Sequence, residues 1–429
     1  MRRPGTDASA ALLFLLTGFL ALQPLSTDLY LASLPALREH FSGSVSSVQL
    51  TLSAFLAGFA ASQLIAGPLS DRFGRRPVAL AGCALYVGAS LAGMIAPSLA
   101  VLIVARVLQA IGVCCTVVCA RAIVRDLYEA EAGARVLARA LTWMGTAPIA
   151  GPVVGGLLQA LTGWRANFAA LTLLGAILLA AAVRALPETN RHRNASATDL
   201  RALARNYARI AASRRFWSYA LPVTGSYSAL FCFISASSFV LIGIYGLPAQ
   251  RFGIAYALVA SGYLLGTMAL RPLLGRLGLV GSIRAGAALA FAAGTAMTAF
   301  ALAEVRTLAA VLVPMFLVMT AHGFIQPSCQ TGAIDPFPRM AGAAAALMGF
   351  AMLAVAAAAG WAVGALHDGT TRPLALGVGA CTTFTALATA LLLRRERGVA
   401  IGSAAGSAVA GAGTVHGTAA GADASAKGA

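Results

Sequence analysis

The stretch GPLSDRFGRRP, residues Gly67–Pro77, joins two long apolar runs of this 429-residue chain. Glycine tolerates close or left-handed backbone, so Gly67 and Gly74 predict a tight connection between two helices. A related pattern returns 204 positions later, where Pro272-Leu273, Arg276 and Gly278 match Pro68-Leu69, Arg72 and Gly74. Further glycines match at the same shift, which predicts two copies of one structural unit.

The composition excludes a soluble globular protein. Apolar residues make up 59% of the chain and charged residues 10%, whereas soluble chains carry about 25% charged residues. The mean hydropathy is +0.81. A protein surface built from so few charged residues must face lipid.

Twelve apolar segments of about 20 residues are long enough to cross a bilayer as helices. The predicted fold is therefore an all-α integral membrane protein with twelve transmembrane helices in two six-helix halves. We place the spans at 9–34, 47–69, 77–96, 98–120, 138–161, 164–186, 217–244, 253–272, 282–303, 307–329, 341–366 and 372–394.

The chain divides into four predicted regions. Residues 1–186 form the N-terminal half, 187–216 a polar cytoplasmic linker and 217–397 the C-terminal half. Residues 398–429 are rich in Gly, Ala and Ser and poor in large side chains, so we expect a disordered tail.

The formal net charge is +17, an excess that in a soluble protein would indicate nucleic-acid binding. Here the arginines concentrate in the N-terminus, alternate connections and the segment after the last span. The opposite connections hold only Arg38, Arg165, Arg251, Arg306 and Arg372. Positive residues keep loops in the cytoplasm, so both termini are predicted there. This distribution favours a basic face next to the lipid bilayer over nucleic-acid binding.

The loop resembles the signature Gly-x-Leu-x-Asp-Arg-x-Gly-Arg-Arg/Lys of the major facilitator superfamily, and every defined position matches. The resemblance implies two halves that rock around a central site, with this loop latching them through charge contacts. The implied members of the loop motif are Gly67, Asp71, Arg72, Gly74, Arg75 and Arg76, with Asp126 as a partner. The alternative is a simple topology anchor.

Other segments are similar to the Bcr/CflA group of 12-span drug/proton antiporters. They include Thr27-Asp28-Leu29-Tyr30-Leu31 in the first span and Arg106 to Gly112 in the fourth. The fifth span resembles the antiporter motif at Gly145, Pro148, Gly151, Pro152, Gly155 and Gly156. Two departures are Ala32, where the group has a proline, and Ala147, where the motif has its first glycine.

Charges inside a membrane are costly and mark function. Asp28 and Arg106 are the clear cases, and we expect them to couple protons to transport. A carboxyl group in a cavity of low dielectric constant is suited to take up and release a proton. The alternative for Asp28 is a structural role at the outer end of the first span, exposed to water.

Several polar and aromatic residues are candidates for the substrate cavity: Tyr30, Gln109, Tyr227, Phe231, His322 and Gln326. Gln109 follows Arg106 on the same helical face, and His322 shares a face with Gln326. For the aromatic residues, lipid-facing or interhelical packing is an equal alternative. A hydrogen-bonded structural role is the favoured interpretation of His322.

Nothing in the sequence predicts a cofactor, metal or enzyme. The seven cysteines lie inside predicted spans, and there is no phosphate-binding loop for direct ATP coupling. The leading hypothesis is proton-coupled efflux of small drug-like molecules by a monomer in the bacterial inner membrane. The alternatives are a metabolite exporter or importer on the same fold, or a membrane sensor that does not transport.

Overall fold

The computed structural model describes residues 10–129 and 145–393, with residues 132, 133, 135, 136, 139 and 140 between them. The predicted disordered tail lies outside the described residues. The helices are α1 (Ala10–Asp28), α2 (Leu34–His40), α3 (Val45–Phe73), α4 (Arg75–Met94), α5 (Leu99–Leu127), α6 (Ala147–Thr162), α7 (Trp164–Ala185), α8 (Leu200–Ala211), α9 (Arg214–Ser238), α10 (Ala249–Leu302), α11 (Ala309–Ile334), α12 (Ala341–Ala365) and α13 (Arg372–Leu392).

The predicted all-helical membrane fold is confirmed. Ten helices in the described part of the chain are long and apolar enough to cross a membrane. The 54-residue α10 contains the eighth and ninth predicted spans, and the 16-residue α6 corresponds to the fifth. The end of the bundle at which α2 is followed by the start of α3 is called here the far end. The Gly67–Pro77 loop defines the opposite end, called the motif end.

The eighth and ninth predicted spans are two helical segments of α10 that meet at a kink in the predicted connection. The kink lies at Gly278, where φ is 67° and ψ is −176°, and the residues on either side of it are helical. Gly74, 204 positions earlier, has φ 105° and ψ 157° between α3 and α4. The two glycines that the sequence repeat superposes therefore share a left-handed, extended backbone that favours glycine.

The sequence predicted close or left-handed backbone at Gly67, and this prediction is wrong. Gly67 lies within α3, and a Cβ atom added there would meet no neighbouring atom within 4 Å. Its backbone is helical, so neither close approach nor a left-handed conformation requires glycine at this position.

The first span also ends differently from the prediction. The helix α1 ends at Asp28, and a turn at Leu29 and Tyr30 leads into a short 3-10 helix, Leu31–Ser33, and then α2. The prediction of one helix to residue 34 missed this break. The break matters because it changes which way the side chains after Asp28 point.

The linker contains a helix that the polar composition did not predict. The helix α8 begins after Asp199, whose carboxylate accepts a hydrogen bond from the backbone N–H of Arg201 at 2.9 Å, a common N-terminal cap. Its Tyr207 hydroxyl donates to the carbonyl of Leu64 on α3 at 2.8 Å. That carbonyl is available because residue 68, four positions on, is proline and has no N–H to donate.

Candidate functional site

Asp28 lies at the contact between the two halves. Its side chain is only 4% exposed, and the Thr27 hydroxyl donates to its carboxylate at 3.0 Å. It packs against α6, where a Cβ atom added to Gly151 would lie 3.3 Å from the Asp28 Cβ atom, and α6 meets α10 of the C-terminal half at Gly156. None of the described Arg and His side chains forms an ion pair with Asp28.

Arg106 on α5 is fully buried inside the N-terminal half. Its guanidinium carbon lies 4.5 Å from the ring centre of Tyr30 and 4.2 Å from that of Phe55, which stabilises the cation through the ring electrons. Nη1 donates to the Gln109 side chain, and Nε donates to the carbonyl of Thr51 at 3.4 Å. Nη2 has no hydrogen-bond partner among the described residues.

The turn after α1 separates the two predicted coupling residues. Asp28 packs beside Gly151 of α6, whereas Tyr30, two positions later, lies beside α5. There the Tyr30 ring covers Arg106, and its hydroxyl is 3.0 Å from that of Thr51. Tyr30 therefore belongs to the enclosure of Arg106, and the Asp28 carboxyl makes no ion pair with the guanidinium within the described structure.

A chain of hydrogen bonds links the surroundings of Arg106 to α1. Gln109 donates to the Ser90 hydroxyl on α4 at 2.7 Å, and Ser90 donates to the carbonyl of Tyr86 at 2.7 Å. The Tyr86 hydroxyl lies 2.9 Å from that of Ser26, two residues before Asp28. Polar contacts thus connect the surroundings of Arg106 with Ser26 on α1.

The C-terminal half presents an aromatic and polar cluster built around His322 on α11. The His322 Nδ1 atom lies 2.9 Å from the Ser226 hydroxyl. The rings of Tyr227 and Tyr263 lie 5.8 and 5.7 Å from the imidazole, centre to centre. Tyr263 donates to the Gln326 side chain at 2.9 Å. The structure therefore brings His322, Gln326 and Tyr227 together.

Phe231 lies elsewhere. It is buried on α9, where a Cβ atom added to Gly360 of α12 would approach its ring to 2.7 Å. Its position matches the interhelical packing that was the alternative to a cavity role. The cavity role of all six candidates stays a prediction.

The glycines of α6 allow direct backbone contacts. A Cβ atom on Gly151 would lie 3.3 Å from that of Asp28, and one on Gly155 would collide with the Leu29 carbonyl. Gly156 faces the Ala249 carbonyl of α10 in the other half. In return, a Cβ atom on Gly253 of α10 would collide with Pro152. We call this contact between Gly156, Ala249, Pro152 and Gly253 the glycine seam.

The two prolines of the antiporter motif have different positions. Pro148 lies in the first turn of α6, where its missing N–H costs nothing, and Pro152 lies within the helix. Gly145 precedes α6 in a turn. Gly253 was missed from the sequence because it belongs to no motif.

The loop motif is an ion-pair cluster at the motif end. Arg75 donates from Nη1 to Asp71 at 2.6 Å and from Nε to Asp126 at 2.9 Å. Nη1 also donates to the Ser70 hydroxyl at 2.6 Å. The contact predicted with Asp126 is therefore present, and it lies within the N-terminal half.

The linker supplies further partners that the sequence did not reveal. The Glu188 carboxylate accepts hydrogen bonds from the backbone N–H groups of Arg75, at 2.9 Å, and Arg76, at 3.3 Å. It thereby caps the N-terminus of α4, where a negative charge is favourable. Arg72 donates to Thr198 of the linker. The Arg76 side chain donates to the carbonyl of Val183 at the end of α7, at 3.0 Å.

Long apolar helices packed side by side, with buried polar residues between them, are typical of multi-pass membrane transporters. The sequence profile of the Major Facilitator Superfamily matches residues 15–361. The chain belongs to this superfamily.

Named relatives cover most of the chain. The Bicyclomycin resistance protein homolog of Haemophilus influenzae is 29% identical over 388 residues, which cover 90% of this chain and 97% of the relative. The Multidrug resistance protein D of Escherichia coli is 31% identical, covering 79% and 84%. The Chloramphenicol resistance protein of Pseudomonas aeruginosa is 30% identical, covering 79% and 80%. These matches confirm the resemblance to the Bcr/CflA group.

The fold also matches solved structures of transporters. An inward open conformation of the xylose transporter XylE from E. coli superposes with a TM-score of 0.70 at 14% identity, covering 90% of this chain and 96% of that one. At this identity the likeness concerns the fold alone.

Proposed function

We propose that this protein exports small drug-like molecules across the bacterial inner membrane in exchange for protons. Three relatives that cover most of the chain carry names of bicyclomycin, chloramphenicol and multidrug resistance. The two halves would alternate between states open to either side, acting as a monomer. The arginine distribution supports an orientation with the motif end and both termini in the cytoplasm.

The observation that carries the proposal is the buried carboxyl of Asp28 between the halves. A protonated carboxyl is neutral and needs no cationic partner there. Loss of the proton would leave a negative charge in an apolar contact, which costs several kcal/mol unless a partner or water compensates. Proton release is therefore linked to a rearrangement of the halves around Asp28.

We assign Arg106 as the partner of the Asp28 carboxylate after it has lost its proton. Its Nη2 atom lacks a hydrogen-bond acceptor among the described residues, although the guanidinium is fully buried. The turn at Leu29 and Tyr30 lets α1 change direction beside Asp28, and rotation there would bring the carboxylate towards Arg106. Substrate entering from the cytoplasm would displace the proton, and a proton from outside would restore the neutral contact.

The remaining motifs have supporting roles in this proposal. The glycine seam closes the far end, because backbone atoms of the two halves meet without intervening side chains. The loop motif holds the motif end of the N-terminal half together with the linker. A latch between the halves in the opposite state is the further role that we propose for Asp71 and Arg75.

The test is the substitution Asp28→Asn, which keeps the size of the side chain but removes its proton exchange. Overexpressed in a bacterial host without its own efflux pumps, the wild-type chain should raise resistance to chloramphenicol or another compound from a drug panel. We expect Asp28→Asn to return resistance to the level of the empty vector. Membrane vesicles should also lose the proton movement that the drug induces.

The matched control is Asp368→Asn, because Asp368 is exposed at the far end, where its carboxylate accepts hydrogen bonds from Thr370. This variant should retain resistance at the same amount of protein in the membrane. Full resistance with Asp28→Asn would exclude Asp28 as the coupling residue. Absence of resistance with the wild-type chain across the panel would instead contradict drug efflux itself.

A further inference from the structure

The linker helix α8 has two distinct faces. Successive residues of an α-helix are rotated by about 100°, so Arg201, Arg205 and Arg209 lie along one stripe. All three side chains are exposed. Next to this stripe runs an exposed apolar edge that contains Leu200, 77% exposed, with Ala204 and Ala208.

Among the residues that the structure describes, the arginine stripe has no acidic partner. The twelve residues of α8 contain no Asp or Glu, and within the described structure no ion pair involves the three arginines. Asp199 caps the helix through a backbone N–H. A positive stripe beside an exposed apolar edge is typical of a helix lying in a membrane interface.

The opposite face of α8 fixes the position of this helix along the membrane span α3. Tyr207 donates to the carbonyl of Leu64, nine residues before α3 ends at Phe73. At 1.5 Å per residue this point is about 13 Å along α3 from its end. Part of α8 therefore lies beside the apolar portion of a membrane span and does not project into the cytoplasm.

The same face joins the two halves. Tyr207 binds α3 of the N-terminal half. Ile210 is fully buried in a cluster with Phe216, Ile283 and Met348 of the C-terminal half. A force applied to α8 would act on both halves at the motif end.

We infer that α8 binds anionic phospholipid headgroups through Arg201, Arg205 and Arg209, with Leu200 inserted at the edge of the acyl chains. The phosphate groups supply the negative charge that the described protein does not provide to this stripe. The cytoplasmic leaflet carries a negative surface potential that attracts such arginines. Anionic lipid would thereby hold the linker in place beneath the contact between the halves.

The test uses the full-length protein in two kinds of vesicle, phosphatidylethanolamine with phosphatidylglycerol and phosphatidylethanolamine with phosphatidylcholine, at equal molar ratios. Hydrogen–deuterium exchange is measured for residues 200–211 by mass spectrometry. We expect exchange to be about threefold slower or more in the phosphatidylglycerol vesicles at low salt, because each arginine adds attraction to the surface. Inorganic phosphate added to the phosphatidylcholine vesicles should not reproduce the protection.

The variant R201Q/R205Q/R209Q should lose the difference between the two vesicles, and R201K/R205K/R209K should keep it. A matched control, R191Q/R271Q/R276Q, removes three exposed arginines outside α8 and should also keep it. Equal exchange of the wild-type segment in both vesicles would overturn the inference. So would a difference of wild-type size in the triple glutamine variant. These readouts do not depend on whether the protein exports drugs.

Discussion

The bends at Gly74 and Gly278 have similar backbone conformations, but the residues around them differ in charge. Both glycines have positive φ and an extended ψ. Around Gly74 the chain carries Asp71, Arg75 and Arg76, and the corresponding positions 204 residues later are Gly275, Leu279 and Val280. The repeated unit thus retains its geometry where its charges differ.

The difference separates two requirements that the sequence motif combines. The glycine is needed to turn the chain between two spans in either half. The charges of Asp71 and Arg75 are present only in the N-terminal half, where the Arg75 side chain binds Asp71 and Asp126.

The largest effect is expected for Arg75→Ala. Arg75 is buried and pairs with Asp71 and Asp126, so its removal leaves two carboxylates without their shared cation. We expect the free energy of unfolding in detergent to fall by about 2–3 kcal/mol, below the range for fully buried pairs because Asp71 is half exposed. The control Arg276→Ala, at an exposed position in the second bend, should change it by less than about 0.5 kcal/mol. A loss for Arg75→Ala below about 0.5 kcal/mol would show that the charges of the first bend are dispensable.

A smaller, graded effect is expected when each glycine is replaced by alanine. Gly278→Ala should cost about 1–2 kcal/mol from left-handed backbone strain alone, because a Cβ atom there meets nothing within 4 Å. Gly74→Ala should cost more, since its Cβ atom would collide with the Glu188 carboxylate. Thermal unfolding of both variants measures the difference. Adding Glu188→Ala should remove the excess cost at Gly74, and an unchanged excess would contradict this explanation.

The smallest effect concerns Tyr207→Phe, which leaves the Leu64 carbonyl without its donor. We expect a loss of about 1 kcal/mol in unfolding free energy. Burial raises the pKa of Tyr207, so the hydroxyl remains a donor at neutral and mildly alkaline pH. In a Pro68→Ala background the new N–H of residue 68 can serve Leu64, and Tyr207→Phe should then cost almost nothing. Pro272→Ala, the equivalent change in the second half, should leave the cost unchanged.

The sequence predicted the spans, the repeat and the contact of Arg75 with Asp126, because hydropathy and a dense motif record them directly. It did not predict how Asp28 and Arg106 are arranged. Their separation depends on a two-residue turn after α1. The sequence has no capping residue or glycine there that would predict the turn. Glu188 and Gly253 were missed for another reason: each contacts a segment about 100 residues away in the chain, and no local pattern marks either one.

The glycine seam limits which compensatory mutations are available to this protein during evolution. Most contacts between side chains can be repaired after a mutation, because a smaller residue opposite a larger one restores the fit. At Gly156 and Gly253 the opposing surface is the main chain of Ala249 and Pro152, and no substitution can make a carbonyl group smaller. We therefore expect suppressors of a bulky residue at either glycine to arise away from the contact, in positions that let the two halves stand further apart.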